Sequence, residues 1–265
     1  MSATSSSTGA IRGVPGRGGA AGAGGRVGRT VSGLVVALGS VLFLGGFVWA
    51  AVVYRPYTVP TDSMRPTVRP GDKVLAQHVP GSAVHRGDVV VFKDELWGDV
   101  PMVKRVIGVG GDTVSCCDRQ GRLLVNGKPV AEGYLHGGGP ASLAEFTTTV
   151  PKGELFLLGD NRAVSEDSRI HLQDAEGGSV PAGEVRARVD ATAWPLGRLG
   201  MVARTSAFDA LPGGGASPQG PLRLLTVLIT AGAALILGGA AYGPVAKVTA
   251  MAKARPAAER VRRRR

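Results

Sequence analysis

The chain has 265 residues and a formal net charge of +11. The excess is confined to the ends: residues 1–32 carry +4, residues 247–265 carry +7, and the stretch between is neutral. A nucleic-acid-binding fold would place its basic patch on the folded domain, so that class is excluded.

Taken in order, residues 1–32 are Gly, Ser, Ala and Arg with little else, a composition that cannot build a core and predicts a disordered basic tail. "GLVVALGSVLFLGGFVWAAVVY", 33–54, contains no charge and is long enough to span a bilayer as a helix, which takes about 20 residues. It exceeds the apolar stretch of a cleaved signal peptide, so it reads as a retained anchor. A second uncharged run, "LLTVLITAGAALILGGAAYG", covers 224–243. Basic flanks mark the cytoplasmic side, so both tails, 1–32 and 244–265, are expected inside and the intervening domain outside. The last tail, ending "RVRRRR", would meet anionic lipid headgroups.

The extracytoplasmic stretch, 55–211, reads as β. "KVLAQHV" (73–79) and "DVVVF" (88–92) are short, apolar and valine-rich, "MVKRVIGVGGDTVSC" (102–116) reads as a strand, a glycine turn and a second strand, and "ELFLLGD" (154–160) and "EVRARVDATAW" (184–194) complete the set. "RLLVNGKPV" (122–130) holds Asn-Gly between apolar runs, a hairpin signal. Residues 131–149 and 163–183 read as loops or insertions, and "PGGGASPQGP" lies in a flexible linker, 212–223. The fold class expected is mainly β: an antiparallel folded barrel or sandwich between two transmembrane helices. Cys116 and Cys117 are adjacent, and an external location permits either a disulfide or two thiols. The four histidines show no ligand spacing, so no metal or other cofactor is expected.

Three segments could carry chemistry. Ser63 stands in "TVPTDSMRPT", fenced by Pro60 and Pro66, which exclude mid-helix and central-strand positions. A serine needs a base to become a nucleophile. No histidine is flanked by apolar residues on both sides within an expected strand, whereas Lys104 lies in one beside Val103 and Val106. Strand alternation sends Lys104 and Arg105 to opposite faces. A buried lysine loses its proton more easily and can then act as a general base. "GDNRAVSEDSR", 159–169, mixes carboxylates, arginines and serines suited to a supporting shell.

Together "SMRPT" (63–67), "RGDVVVF" (86–92), "KRVIGVGGD" (104–112) and "GDNRAVSEDSR" (159–169), with a closing "ATAWPLGRLG", resemble the type I signal peptidases across residues 56–200. The two-span plan is similar to forms found in actinobacteria. The resemblance implies a membrane-bound serine endopeptidase that removes signal peptides from exported preproteins after small residues at A-x-A-like sites. It implies Ser63 as nucleophile and Lys104 as general base, with the Ser63 amide and the Thr61 hydroxyl as oxyanion hole. It places Ser165 against the lysine, pairs Arg105 with Asp160 and Asp167 with Arg169, and puts substrate along Thr58 and Val59. The partners implied are secretory preproteins and the lipid bilayer, near the translocon, with no nucleic acid. One departure is Asp62, where the family often has a small residue; its carboxylate is expected to point away from the lysine. Competing readings are a Ser-Lys peptidase dedicated to one substrate, a self-cleaving repressor, and a non-catalytic scaffold. Repressor-type relatives are soluble, which two spans oppose.

Overall fold

In a computed structural model the backbone is described for residues 23–262 and the side chains for residues 28–242. Of the tail expected to be disordered, 1–32, residues 1–22 lie outside these, and from Ala23 the backbone is helical. Two compact units emerge, one holding the helices up to Gly45 and from Leu228, the other residues 46–227.

The helical unit is built from α1, Ala23–Val53, and α2, Leu222–Arg262. Both outrun the apolar stretches: α1 starts ahead of residue 33 and ends before Tyr54, and α2 carries on through the basic tail. Within them, Gly28–Val53 and Leu222–Tyr242 are long and apolar enough to cross a membrane. The helices touch through small residues. A methyl group on Gly39 would meet the Gly232 carbonyl at 2.8 Å, and Ser32 donates its hydroxyl to the Gly239 carbonyl at 2.7 Å. Small residues let helix backbones approach closely. Leu34, Leu38, Val41 and Leu44 stay exposed.

The second unit is antiparallel β. Its strands are β1 Tyr54–Thr58, β2 Lys73–Gln77, β3 Val89–Phe92, β4 Met102–Val109, β5 Thr113–Cys116, β6 Leu123–Val125, β7 Lys128–Pro129, β8 Phe146–Thr149, β9 Glu154–Leu158, β10 Ser179–Pro181, β11 Val185–Trp194 and β12 Gly200–Met201. A large sheet runs β1-β2-β11-β3-β4-β9-β10, with β12 added to β11, and a small sheet runs β7-β6-β5-β8. The fold is therefore mainly antiparallel β with two terminal apolar helices.

Burial explains the strand composition. All four residues of β3 are buried, with Val89 and Val91 in one apolar cluster and Val90 and Phe92 in another. A strand covered on both faces reads as a continuous apolar run rather than an alternating one. A third cluster, around Ile107, Val114, Leu123, Phe156 and Phe208, brings residues of the two sheets together. Asn126 and Gly127, at φ 52° and 73°, make the tight β6–β7 turn that the Asn-Gly pair predicts. β8 and β10 form in stretches read as loops. β8 is held by β5 and β10 by β9, and distant partners of that kind leave no local periodicity. Cys116 and Cys117 are joined as a disulfide.

Candidate active site

Ser63 sits in a single 3-10 turn, Asp62–Met64, directly after β1. The segment is tied down on both sides. Val59 N donates to the Asp72 carbonyl at 2.8 Å, and Gly71 N donates back to the Val59 carbonyl at 2.9 Å. Asn161 N donates to the Ser63 carbonyl at 2.9 Å, while its side-chain amide reaches the Asp62 carbonyl at 3.3 Å. The serine turn is thus pinned to the 159–169 segment by one main-chain and one side-chain bond from Asn161.

Lys104 comes from the middle of β4, where it pairs with Val90 of β3. Its neighbour Arg105 pairs with Val89, so the pleat puts the two cations on opposite faces of the sheet. Lys104 Nζ donates to Ser63 Oγ at 3.1 Å, and both side chains are buried, at 4% and 6% exposure. Burial lowers the Lys104 pKa from the ordinary 10.5. The carboxylates of Asp167 and Glu166 pull it back up, and Arg169 pushes it further down. A buried amine whose pKa is lowered, in hydrogen-bond contact with a hydroxyl, has the geometry of a general base and its nucleophile.

Thr61 Oγ1 lies 3.1 Å from Ser63 Oγ. Ser165 is buried nearby, but its hydroxyl has no hydrogen-bond partner among the described residues, so the contact to Lys104 implied by the resemblance is not made here. A methyl group on Gly159 would collide with Ser165 Oγ and with the Ser63 carbonyl. The bare glycine lets these two segments meet.

On the opposite face Arg105 grips Asp160 with two bonds, Nε–Oδ1 at 2.8 Å and Nη2–Oδ2 at 2.7 Å, and gives Nη1 to the Gly87 carbonyl at 2.8 Å. Thr67 adds its hydroxyl to Asp160 at 2.5 Å. Asp167 and Arg169 form a second two-bond pair at 2.8 and 2.9 Å, and Asp167 also accepts the Gly159 amide at 3.1 Å. Asp62 turns to Arg65, 2.6 Å away.

A cleft of about 460 Å³ opens over the Ser63–Lys104 contact. Val59, Met102 and Val103 give it an apolar side, Trp97 and Pro101 another, and Glu166 stands on its rim. Trp97 is clamped edge-to-face on Phe92 and stacked on His171 at 4.4 Å. Thr58 does not line this cleft; it is exposed on β1, paired with Lys73.

Sequence reasoning assigned no role to several residues that hold the site. Asn161 lies inside the quoted cluster, but a main-chain bond to Ser63 leaves no trace in residue type. Glu132 pairs with buried Arg162, whose Nε caps the Gly159 carbonyl at 2.9 Å. Tyr134 lies under the Arg105 guanidinium at 4.0 Å. Both come from a stretch read as loop, and their partners are too distant in sequence to announce them.

Known proteins supply a second line of argument. Residues 29–194 match the family model described as signal peptidase, peptidase S26. A probable signal peptidase I of Mycobacterium leprae is 33% identical over 214 residues, covering 59% of this chain and 74% of that protein. Signal peptidase I V of Bacillus subtilis is 40% identical over 131 residues, covering 44% and 76%. A crystal structure of a signal peptidase I from Enterococcus faecalis is 30% identical with a TM-score of 0.32, covering 39% of this chain and 93% of that one.

Proposed function

The chain belongs to the signal peptidase family, peptidase S26, and from that premise we propose that it is a membrane-bound Ser-Lys endopeptidase releasing exported preproteins from their signal peptides. The observation that carries this reading is the buried Lys104 amine held 3.1 Å from Ser63 Oγ at the floor of a cleft.

In the proposed mechanism the neutral Lys104 amine removes the Ser63 hydroxyl proton as Oγ attacks the carbonyl carbon before the scissile bond. The carbonyl oxygen becomes an oxyanion, held by the Ser63 amide and the Thr61 hydroxyl. Lys104, now an ammonium, gives its proton to the departing amine, and the peptide bond breaks. A water then loses a proton to Lys104 and attacks the acyl-serine; Lys104 returns that proton to the departing Ser63 Oγ, and the signal peptide leaves with a new carboxyl group, which ionises in solvent. Burial of Lys104 keeps the amine available to act as base. The Arg105–Asp160 and Asp167–Arg169 pairs hold the surrounding segments, and Ser165, on this reading, turns its free hydroxyl to the amine once substrate is bound.

The substrate would lie extended along Val59, with Thr58 at the start of its path, and place small side chains against the apolar cleft. A-x-A-like sites fit such shallow pockets. The two apolar helices would anchor the chain with both ends cytoplasmic and the β unit outside, near the translocon and the bilayer from which signal peptides emerge.

The test is cleavage of a preprotein bearing an A-x-A site by purified protein in detergent. Wild type should cut once, after the small residue, and Ser63→Ala and Lys104→Met should both be inactive. Cleavage surviving in Ser63→Ala would sink the assignment.

A further inference from the structure

We propose that Trp97 limits the size of the substrate side chain three positions before the scissile bond (−3), an inference that rests on the peptidase reading above. Trp97 is one of the residues lining the cleft over the Ser63–Lys104 contact.

The ladder between β3 and β4 fixes its place along that cleft. Lys104 pairs with Val90, and Met102, two residues earlier, pairs with Phe92. Side chains two apart on a strand share a face and stand about 6.5 Å from each other. The Trp97 ring packs edge-to-face on Phe92, with centroids 5.3 Å apart. It therefore marks the Phe92–Met102 end, one such step from the Val90–Lys104 pair. An extended substrate has the same period, so its −1 and −3 side chains face one way at the same spacing. With the −1 carbonyl beside Ser63, the −1 side chain meets the Lys104 end and the −3 side chain meets Met102 and Trp97. Val59, along which the signal-peptide side of the substrate runs in that reading, lines the same cleft, so the step leads to −3 and not to +2.

The bulk at this end is fixed. The indole is stacked on His171 at 4.4 Å, and the His171 ring is held by Asp174 at 2.7 Å. The turn carrying Trp97 is locked from within. Asp94 Oδ1 accepts the Leu96 and Trp97 amides at 2.9 and 3.2 Å, and the Asp94 carbonyl accepts the Asp99 amide at 2.9 Å. Lys93 closes the turn by pairing with Asp99 at 2.8 Å. Leu96 and Val100 on the same turn stay exposed, while Trp97 turns in and is buried.

A close-packed wall yields little, so a side chain larger than the gap must displace the ring or its neighbours. A methyl group at −3 avoids that cost and an isobutyl group does not. The same ring belongs to the apolar cluster of Val90, Phe92 and Leu157, so its removal also loosens the fold, and the test has to separate the two effects.

The full chain in detergent is given matched preproteins with Ala at both −3 and −1, with Leu at −3, with Leu at −1, and with Leu at +2. Values of kcat/KM are compared as ratios within each variant, so that a loss of folded protein cancels. Wild type should favour Ala over Leu at −3. Trp97→Phe, which keeps an aromatic ring on Phe92, should cut that preference about tenfold, the usual worth of a small change of size in an apolar pocket. Trp97→Ala should cut it further. His171→Ala, which removes the backing ring from the surface side, should cut it in the same direction by less. The preference at −1 should stay as in wild type. A wild type indifferent to Leu at −3, a −3 preference unchanged in both Trp97 variants, or one relaxed equally at −1 or only at +2, would overturn the proposal and leave Trp97 a core residue. A wild type that cleaves none of these preproteins would overturn the peptidase reading and this inference with it, whereas cleavage with an unchanged −3 preference counts against the inference alone.

Discussion

Consider Asp160→Ala. Asp160 is fully buried and Arg105 is 1% exposed. The substitution removes both carboxylate acceptors of the guanidinium, leaves the Thr67 hydroxyl without its 2.5 Å partner, and strands a permanent charge over the Tyr134 ring. Removing one member of a buried pair costs about 3–5 kcal/mol, mostly from the orphaned charge. A domain of this size loses about 2–4 °C in Tm per kcal/mol, so the β unit should melt about 6–20 °C lower. Thermal unfolding of the detergent-solubilised protein, followed by tryptophan fluorescence, gives the shift. The control is the double variant Arg105→Met, Asp160→Ala. With no charge left to strand, it should recover most of the loss. A single variant that melts within about 1 °C of wild type, well below the shift the pair energy implies, would refute the reasoning. So would a double variant no better than the single.

Three further outcomes bear on the site. The rate of cleavage (kcat/KM) should rise with pH along an acid limb whose midpoint lies below 10.5, because burial favours the neutral Lys104 amine; Glu166→Gln removes a carboxylate that stabilises the ammonium, and should move that limb to lower pH. A limb that stays put would remove Glu166 from the electrostatics of the base. Thr61→Val deletes the proposed oxyanion donor and should lower kcat about 10²–10³-fold with KM little changed, as steady-state kinetics would report. Gly159→Ala forces apart Ser165 and the Ser63 carbonyl, and should lower kcat by about 10²-fold, the usual penalty of a 1 Å misplacement.

Much of this fold is legible in the sequence because its strands are short, valine-rich and marked off by Gly, Pro and Asn-Gly. The β6–β7 hairpin and the β4–β5 turn at Gly110–Gly111 follow from local chemistry alone. β8 and β10 do not. "FTTT" has strand-forming residues, but its place depends on β5, some thirty positions earlier, and no local pattern reports that. The opposite placement of Lys104 and Arg105 was readable from the period of a strand, whereas the depth of their burial was not. It depends on β3, β9 and the 159–169 segment closing around them. Glu132 and Tyr134 were invisible for the same reason, since each matters only through an arginine elsewhere in the chain.

The alternation along β4 has a consequence for how this chain tolerates changes in length. Insertion of a single residue just ahead of Lys104 would carry Lys104 to the position that faces Asp160 and leave the inserted residue facing Ser63. The amine would then be lost from beside Ser63, and a single ammonium would replace the two-pronged grip on the carboxylate. Composition and hydropathy would hardly change, yet both halves of the site would fail together. Beyond Val106 the ladder to β9 already shifts register, so an added residue there could be absorbed as a wider bulge. Insertions for labels or fusions therefore belong at the exposed Asn126–Gly127 turn, never between Met102 and Val106.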